Sequence, residues 1–210
     1  PLQSWQQDVL ALLRERLLEP TELAAGAGYT QADGRADEAL PKAIPLDAIK
    51  ANPKLAALRR DPTLCQAVLK TPHVDAVPIA DVPIQNGCGT RNSVRMSMAG
   101  GARLPADRIT CEMAAALALW VEYEVQPAAQ KLLGQRVQAM TQMGTFSCRN
   151  IVGNVFWKGV RSQHATANAI DIGGFTLTDG RQISVLKGWP GGSAEAQFLR
   201  EAHKRACRYF

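Results

Sequence analysis

Ser162-Gln-His-Ala-Thr-Ala-Asn-Ala-Ile-Asp171 sets an imidazole, His164, seven positions before a carboxylate, Asp171. Both are competent zinc ligands, and a catalytic zinc takes three protein donors and keeps one position for water. Two donors are in view here and a third is not obvious. The end of the stretch, from Asn168 to Ile172, reads as the start of a strand. A turn before that strand would let the two side chains converge. Spacing alone leaves another reading open, a surface histidine followed by a hairpin aspartate.

Outward from this stretch the chain alternates short strands with helices. Downstream, Ile170 to Leu177 and Gln182 to Leu186 flank Thr178-Asp-Gly-Arg181, where Asp-Gly predicts a hairpin turn because glycine accepts positive φ. A last helix is expected over Ser193 to Phe210, with Phe198, Leu199, Ala202, Ala206 and Tyr209 on one side. Upstream, Arg136 to Met140 and Thr145 to Arg149 read as strands. Thr110 opens the longest helical pattern, through Met113, Leu117 and Trp120 to Leu133 and Gly134, with Pro127 expected to kink it or begin a second helix. Val74 to Pro83 and Cys88 to Met98 show period-two alternation. Between Leu46 and Lys70, Pro53 and Pro62 break short helical pieces.

At the start, Leu2, Trp5, Val9, Leu12 and Leu13 lie at helical spacing within residues 2–18, an amphipathic helix with a face for a protein partner. A long Ala-, Gly- and Asp-rich connection follows it. The expected fold is therefore α+β: a small antiparallel sheet from the second half bearing the zinc site, covered by helices from the middle and the C-terminal end. Residues 1–61 would form a helical N-terminal extension and long loop, and 62–210 the main domain.

At 210 residues, 46% of them hydrophobic, the chain has material for a real core. No uninterrupted apolar run is long enough to span a bilayer. Because residue 1 is proline, the chain is expected to begin after a processing boundary, with any signal or anchor upstream. The charge of +5 is scattered and has neither aromatic interleaving nor a glycine-rich phosphate loop beside it, so no nucleic-acid partner is expected. The five cysteines, Cys65, Cys88, Cys111, Cys148 and Cys207, form no CxxC pair. Their wide spacing points to disulfides and an oxidising compartment, with Cys65–Cys88 and Cys148–Cys207 as the expected bridges and Cys111 free. Five small buried hydrophobes in a cytosolic protein is the other reading. Ser97, Ser147 and Ser184 have no G-x-S-x-G context for a serine hydrolase.

Ser162-x-His164-x-x-Ala167-x-Ala169-x-Asp171 resembles the SxHxxGxAxD signature of zinc peptidases related to lysostaphin, the D-Ala-D-Ala carboxypeptidases and the hedgehog signalling domain. Ala167 stands where that signature has glycine. Thr145-Phe-Ser-Cys-Arg149 resembles the S-G-Y-R element of the same group, whose arginine faces the substrate. A closer resemblance is to the bacterial extensin-like C-terminal domain family. It is carried in order by Cys88-Gly89, Thr110-Cys111 with Trp120, Gln126-Pro-Ala-Ala129, Ser147-Cys-Arg149, the His164 to Asp171 signature, Thr178-Asp-Gly180, Trp189, and Phe198-Leu-Arg200 with Ala206-Cys207.

The resemblance implies that His164 and Asp171 hold Zn2+, that Arg149 meets a substrate carboxylate or oxyanion, and that Ser162 supports the ligand geometry. It also implies a third ligand and a catalytic histidine from an HxH segment after Phe210. His73 and His203 read as loop and helix residues instead. The implied function is a periplasmic or cell-envelope zinc metallopeptidase acting on peptidoglycan stem peptides or cross-links. The alternative is a non-catalytic peptidoglycan-binding or scaffolding domain.

Overall fold

A computed structural model describes residues 58–210, Asn154 and the Val155 side chain excepted. The helix expected over residues 2–18, the connection after it and most of the expected N-terminal unit lie outside the described residues.

The first complete helix, α1 (Pro62–Val68), starts where sequence chemistry puts it. Asp61 accepts the Leu64 N–H at 2.9 Å, and Pro62 occupies the first turn, where no donor is needed. Three strands follow: β1 (Asp75–Pro78), β2 (Ser93–Ala99) and β3 (Ala102–Thr110). Gly100 turns β2 into β3 at φ +54°, and a Cβ there would lie 2.5 Å from the Glu122 nitrogen, so only glycine lets the chain pass so close.

Thr110 caps α2 (Cys111–Trp120) by accepting the Met113 N–H at 3.2 Å. Every residue of α2 is buried, as its all-round apolar sequence requires of a central helix. A π-helical turn, Val121–Val125, joins it to α3 (Gln126–Leu133), which has Pro127 in its first turn and ends at Gly134 in the left-handed conformation. The expectation at Pro127 is met by a second helix. Then come β4 (Val137–Gly144), the hairpin of β5 (Asp171–Leu177) and β6 (Gln182–Ser184), the short α4 (Val185–Gly188) and α5 (Ala194–Ala206).

The six strands form one sheet in chain order, antiparallel throughout except where β3 runs parallel to β4. The fold is α+β, but the sheet is larger than expected and draws three of its strands from before α2. Of these, β3 is the element that sequence reading overlooks. Of its buried positions, Ala102, Leu104, Ala106 and Ile109, the first three alternate, but two of those are alanines and Pro105 interrupts the run. The proline is tolerated because it lies at a bulge: Met96 pairs with Ala106 and Met98 with Arg103 across β2, leaving Leu104 and Pro105 out of register. Thr145 to Arg149, expected as a strand, is irregular, since β4 continues past Met140 and stops at Gly144.

Buried polar groups tie the layers together. The Gln126 amide donates to the carbonyls of Gly100 (3.2 Å) and Val137 (2.9 Å), and its oxygen accepts the Val137 N–H at 2.9 Å. Trp120 Nε1 donates to the Ala202 carbonyl at 3.0 Å, and Phe198 packs edge-on against Phe175 with ring centres 5.1 Å apart, so α5 is held to both α2 and the sheet.

The bridges differ from the expected ones. Cys65 pairs with Cys111, joining α1 to the start of α2, and Cys88 pairs with Cys148; Cys207, not Cys111, is the free thiol. Pairing by nearness in sequence fails because α1 packs on α2, across the intervening three-strand meander. Two disulfides accord with an extracellular or envelope location.

Candidate metal centre

Asp171 is the first residue of β5 and lies opposite Gly144, the last of β4. A Cβ at Gly144 would stand 3.9 Å from Asp171 Oδ2, so the strand end leaves room beside the carboxylate. His164 sits in a 3-10 turn, Gln163–Thr166, just before that strand. Ser162 caps the turn and accepts the His164 N–H on its hydroxyl at 3.3 Å. The turn closes with Ala167 at φ +54° and ψ +26°, a left-handed conformation in which glycine is the unstrained residue. This accounts for the glycine of the signature that Ala167 replaces.

The loop leading out of β4 completes the arrangement through its backbone. The Ser147 N–H donates to the His164 carbonyl at 3.0 Å, and the Ser162 N–H donates to the Arg149 carbonyl at 3.0 Å. The four residues singled out in the sequence, Arg149, Ser162, His164 and Asp171, thus lie on two neighbouring segments and the strand that follows. No hydrogen bond or ion pair holds the Arg149 guanidinium among the described residues. His73 is elsewhere, 3.0 Å from Glu122, and His203 packs edge-on against Trp189 on α5.

The His164 ring is buried, with Nδ1 3.2 Å from the carbonyl oxygen of Thr145. A carbonyl only accepts, so Nδ1 carries a proton and Nε2 is the nitrogen turned toward Asp171. That nitrogen lies 3.4 Å from Asp171 Oδ2, whose side chain is 57% exposed. The separation is longer than the roughly 2.7–2.9 Å of a charge-assisted hydrogen bond. It matches the roughly 3.3–3.4 Å between two donors each about 2.0–2.1 Å from one tetrahedral zinc. The donor pair therefore fits a zinc ion. Among the described residues no cluster of three His, Cys, Asp or Glu side chains is found, so the pair is one donor short of a catalytic site.

The family model described as "Extensin-like protein C-terminus" matches residues 63–210. The chain belongs to this family. No curated protein and no solved structure matches it. In this extensin-like chain, sequence reading did not find the Thr145 carbonyl that orients His164, because a backbone oxygen leaves no mark on residue type. The turn carrying Cys88 was also missed as a neighbour of the centre, although its cysteine was the available signal.

Proposed function

We propose that this extensin-like domain belongs to a zinc-dependent peptidoglycan peptidase of the bacterial envelope, acting on stem peptides or their cross-links. The observation that carries the reading is the 3.4 Å approach of His164 Nε2 to Asp171 Oδ2, with Nδ1 turned to the Thr145 carbonyl. His164 and Asp171 would hold the metal, and a donor from outside the described residues, such as the HxH segment that the resemblance implies, would complete it. A bound zinc supplies a water with its pKa lowered to about 7 and a Lewis acid for the scissile carbonyl.

The protein's own groups have separate tasks. Thr145 keeps the imidazole proton on Nδ1, and Ser162 holds the turn that aims the ring. Arg149, on the loop paired to that turn, offers a guanidinium that can meet a substrate carboxylate or a developing oxyanion with two parallel hydrogen bonds. The two disulfides support a periplasmic or secreted setting, where the wall polymer is the substrate.

A second reading rests on the shortage of donors among the described residues: a domain that binds the polymer without cleaving it. Zinc stoichiometry by elemental analysis, on protein expressed from the complete gene with and without His164→Ala, separates the two. One zinc per chain, lost in the variant, is the expected result. Zinc in neither protein would favour the binding domain, and zinc retained by the variant would refute the ligand assignment.

A further inference from the structure

The turn Gln85–Gly89 is tied to the His164 segment and its neighbours at three points. Cys88 is bonded to Cys148, the residue before Arg149. The Gly89 N–H donates to the carbonyl of Ala165, the residue after His164, at 3.0 Å. Arg161, the residue before Ser162, donates from Nε to the Asn86 carbonyl at 2.9 Å and from its terminal nitrogen to Asn150 Oδ1 at 3.0 Å. The turn itself is closed by reciprocal Gln85 and Cys88 backbone bonds of 2.7 and 2.9 Å. At the base of its loop, Asp81 accepts the N–H groups of Asn92 and Ser93, both at 2.9 Å. A rigid strap thus holds the two segments that carry Arg149 and His164 from one side.

We infer that the Cys88–Cys148 disulfide is a positioning element for His164 and Arg149, and that a dithiol can open it alone, loosening the centre while the domain stays folded. The two bridges differ in access. Cys148 is exposed, whereas Cys65 and Cys111 are fully buried between α1 and α2. A thiolate of the reductant attacks Sγ of Cys148, the accessible sulfur, and Cys88 leaves as a thiolate that takes up a proton. The reductant's second thiol then displaces Cys148, so two electrons pass to the protein and the reductant ends as a cyclic disulfide. After opening, the strap keeps the Gly89 and Arg161 contacts, but Ser147 to Arg149 lose their covalent anchor. The inference concerns the order of the centre and holds whether or not a metal binds there.

The test uses the whole chain carrying Cys207→Ser, so that any thiol found comes from a bridge, kept metal-free with a chelator and titrated with dithiothreitol. Peptide mapping of alkylated thiols should find Cys88 and Cys148 reduced at reductant concentrations at least roughly tenfold below those that open Cys65–Cys111. In that half-reduced state, amide exchange at Ser147, Arg149, Ser162 and Ala165 should rise by about tenfold or more, with α2 and β2 unchanged. The double variant Cys88→Ser, Cys148→Ser should reproduce the pattern without reductant, and the titration decides if that variant does not fold. Bridges opening together, or exchange at those four amides unmoved, would overturn the inference. Zinc binding to the oxidised protein is measured separately: its absence would count against the peptidase reading and leave the exchange result standing.

Discussion

The Thr145 carbonyl oxygen lies 3.2 Å from His164 Nδ1 and decides which ring nitrogen faces Asp171. Because Thr145 acts through its backbone, its side chain is dispensable to this role. Thr145→Val should therefore leave zinc affinity nearly unchanged, whereas Asp171→Asn, which removes a donor charge, should weaken it by about 100-fold or more. Competition against a chromophoric chelator measures both. Equal losses in the two variants would contradict the assignment of Asp171 as a ligand.

Ala167 is buried at φ +54°, a conformation costing a non-glycine residue roughly 1–2 kcal/mol. Ala167→Gly relieves that strain but gives up a buried methyl, about 0.8 kcal/mol, and adds freedom to the unfolded chain, roughly 0.4–1 kcal/mol. The two sides nearly cancel, so urea denaturation should find the variant within about 1 kcal/mol of the parent. Ala167→Val, bulky and β-branched in the same turn, should lose about 2–4 kcal/mol.

Burial raises the Asp81 carboxyl, but hydrogen bonds from Ser93, Asn92 and Thr90 outweigh it, so its pKa lies below the ordinary 3.8. A depressed folded pKa means that the stabilisation is complete above the ordinary carboxylate range and is lost as pH falls through the folded value. Asp81→Asn should therefore be less stable than the parent at pH 7 by about 1 kcal/mol, a small figure because water reaches the carboxylate. The gap should close as the pH falls through the folded value, which lies below the ordinary 3.8. Thermal melts of both proteins across that range are the check, and a gap independent of pH would exclude this carboxylate as its source.

Glu124 is buried beneath the chain end, where it accepts from Arg205 (3.1 Å), Arg208 (3.4 Å) and the Tyr209 hydroxyl (3.1 Å). Glu124→Gln should cost about 2 kcal/mol, since it removes the charge that pairs the two arginines. Burial, and then the negative charge of Glu124, pushes the Tyr209 hydroxyl above its ordinary value of 10.0. A raised folded pKa contributes stability that is complete below that value and lost as pH rises above it. Tyr209→Phe should consequently show a flatter decline in stability on the alkaline side, while absorbance titration of the parent should find one tyrosine ionising late.

Several elements were readable from local chemistry. The Thr110 cap, the apolar run of α2, the Asp179-Gly180 hairpin and the striped face of α5 each rest on interactions within a few residues, and the folded chain keeps all four. β3 was hidden because alanine at Ala102 and Ala106 marks burial weakly and Pro105 argues against a strand. Thr145 to Arg149 read as a strand, yet its Ser147 N–H donates to the His164 carbonyl and its Arg149 carbonyl accepts from the Ser162 N–H, so the segment is bound to the His164 turn.

By itself, the sequence determined the α+β class, the helix caps and turns, and the pair of donor types in the Ser162 to Asp171 stretch, because these follow from residue type and short-range spacing. Only the tertiary structure decided that His164 Nε2 faces Asp171 across 3.4 Å, that Thr145 sets the ring's proton, and that Cys88 meets Cys148 beside Arg149. Those relations join segments up to 60 residues apart. They depend on how the sheet and α2 pack, which no local pattern records.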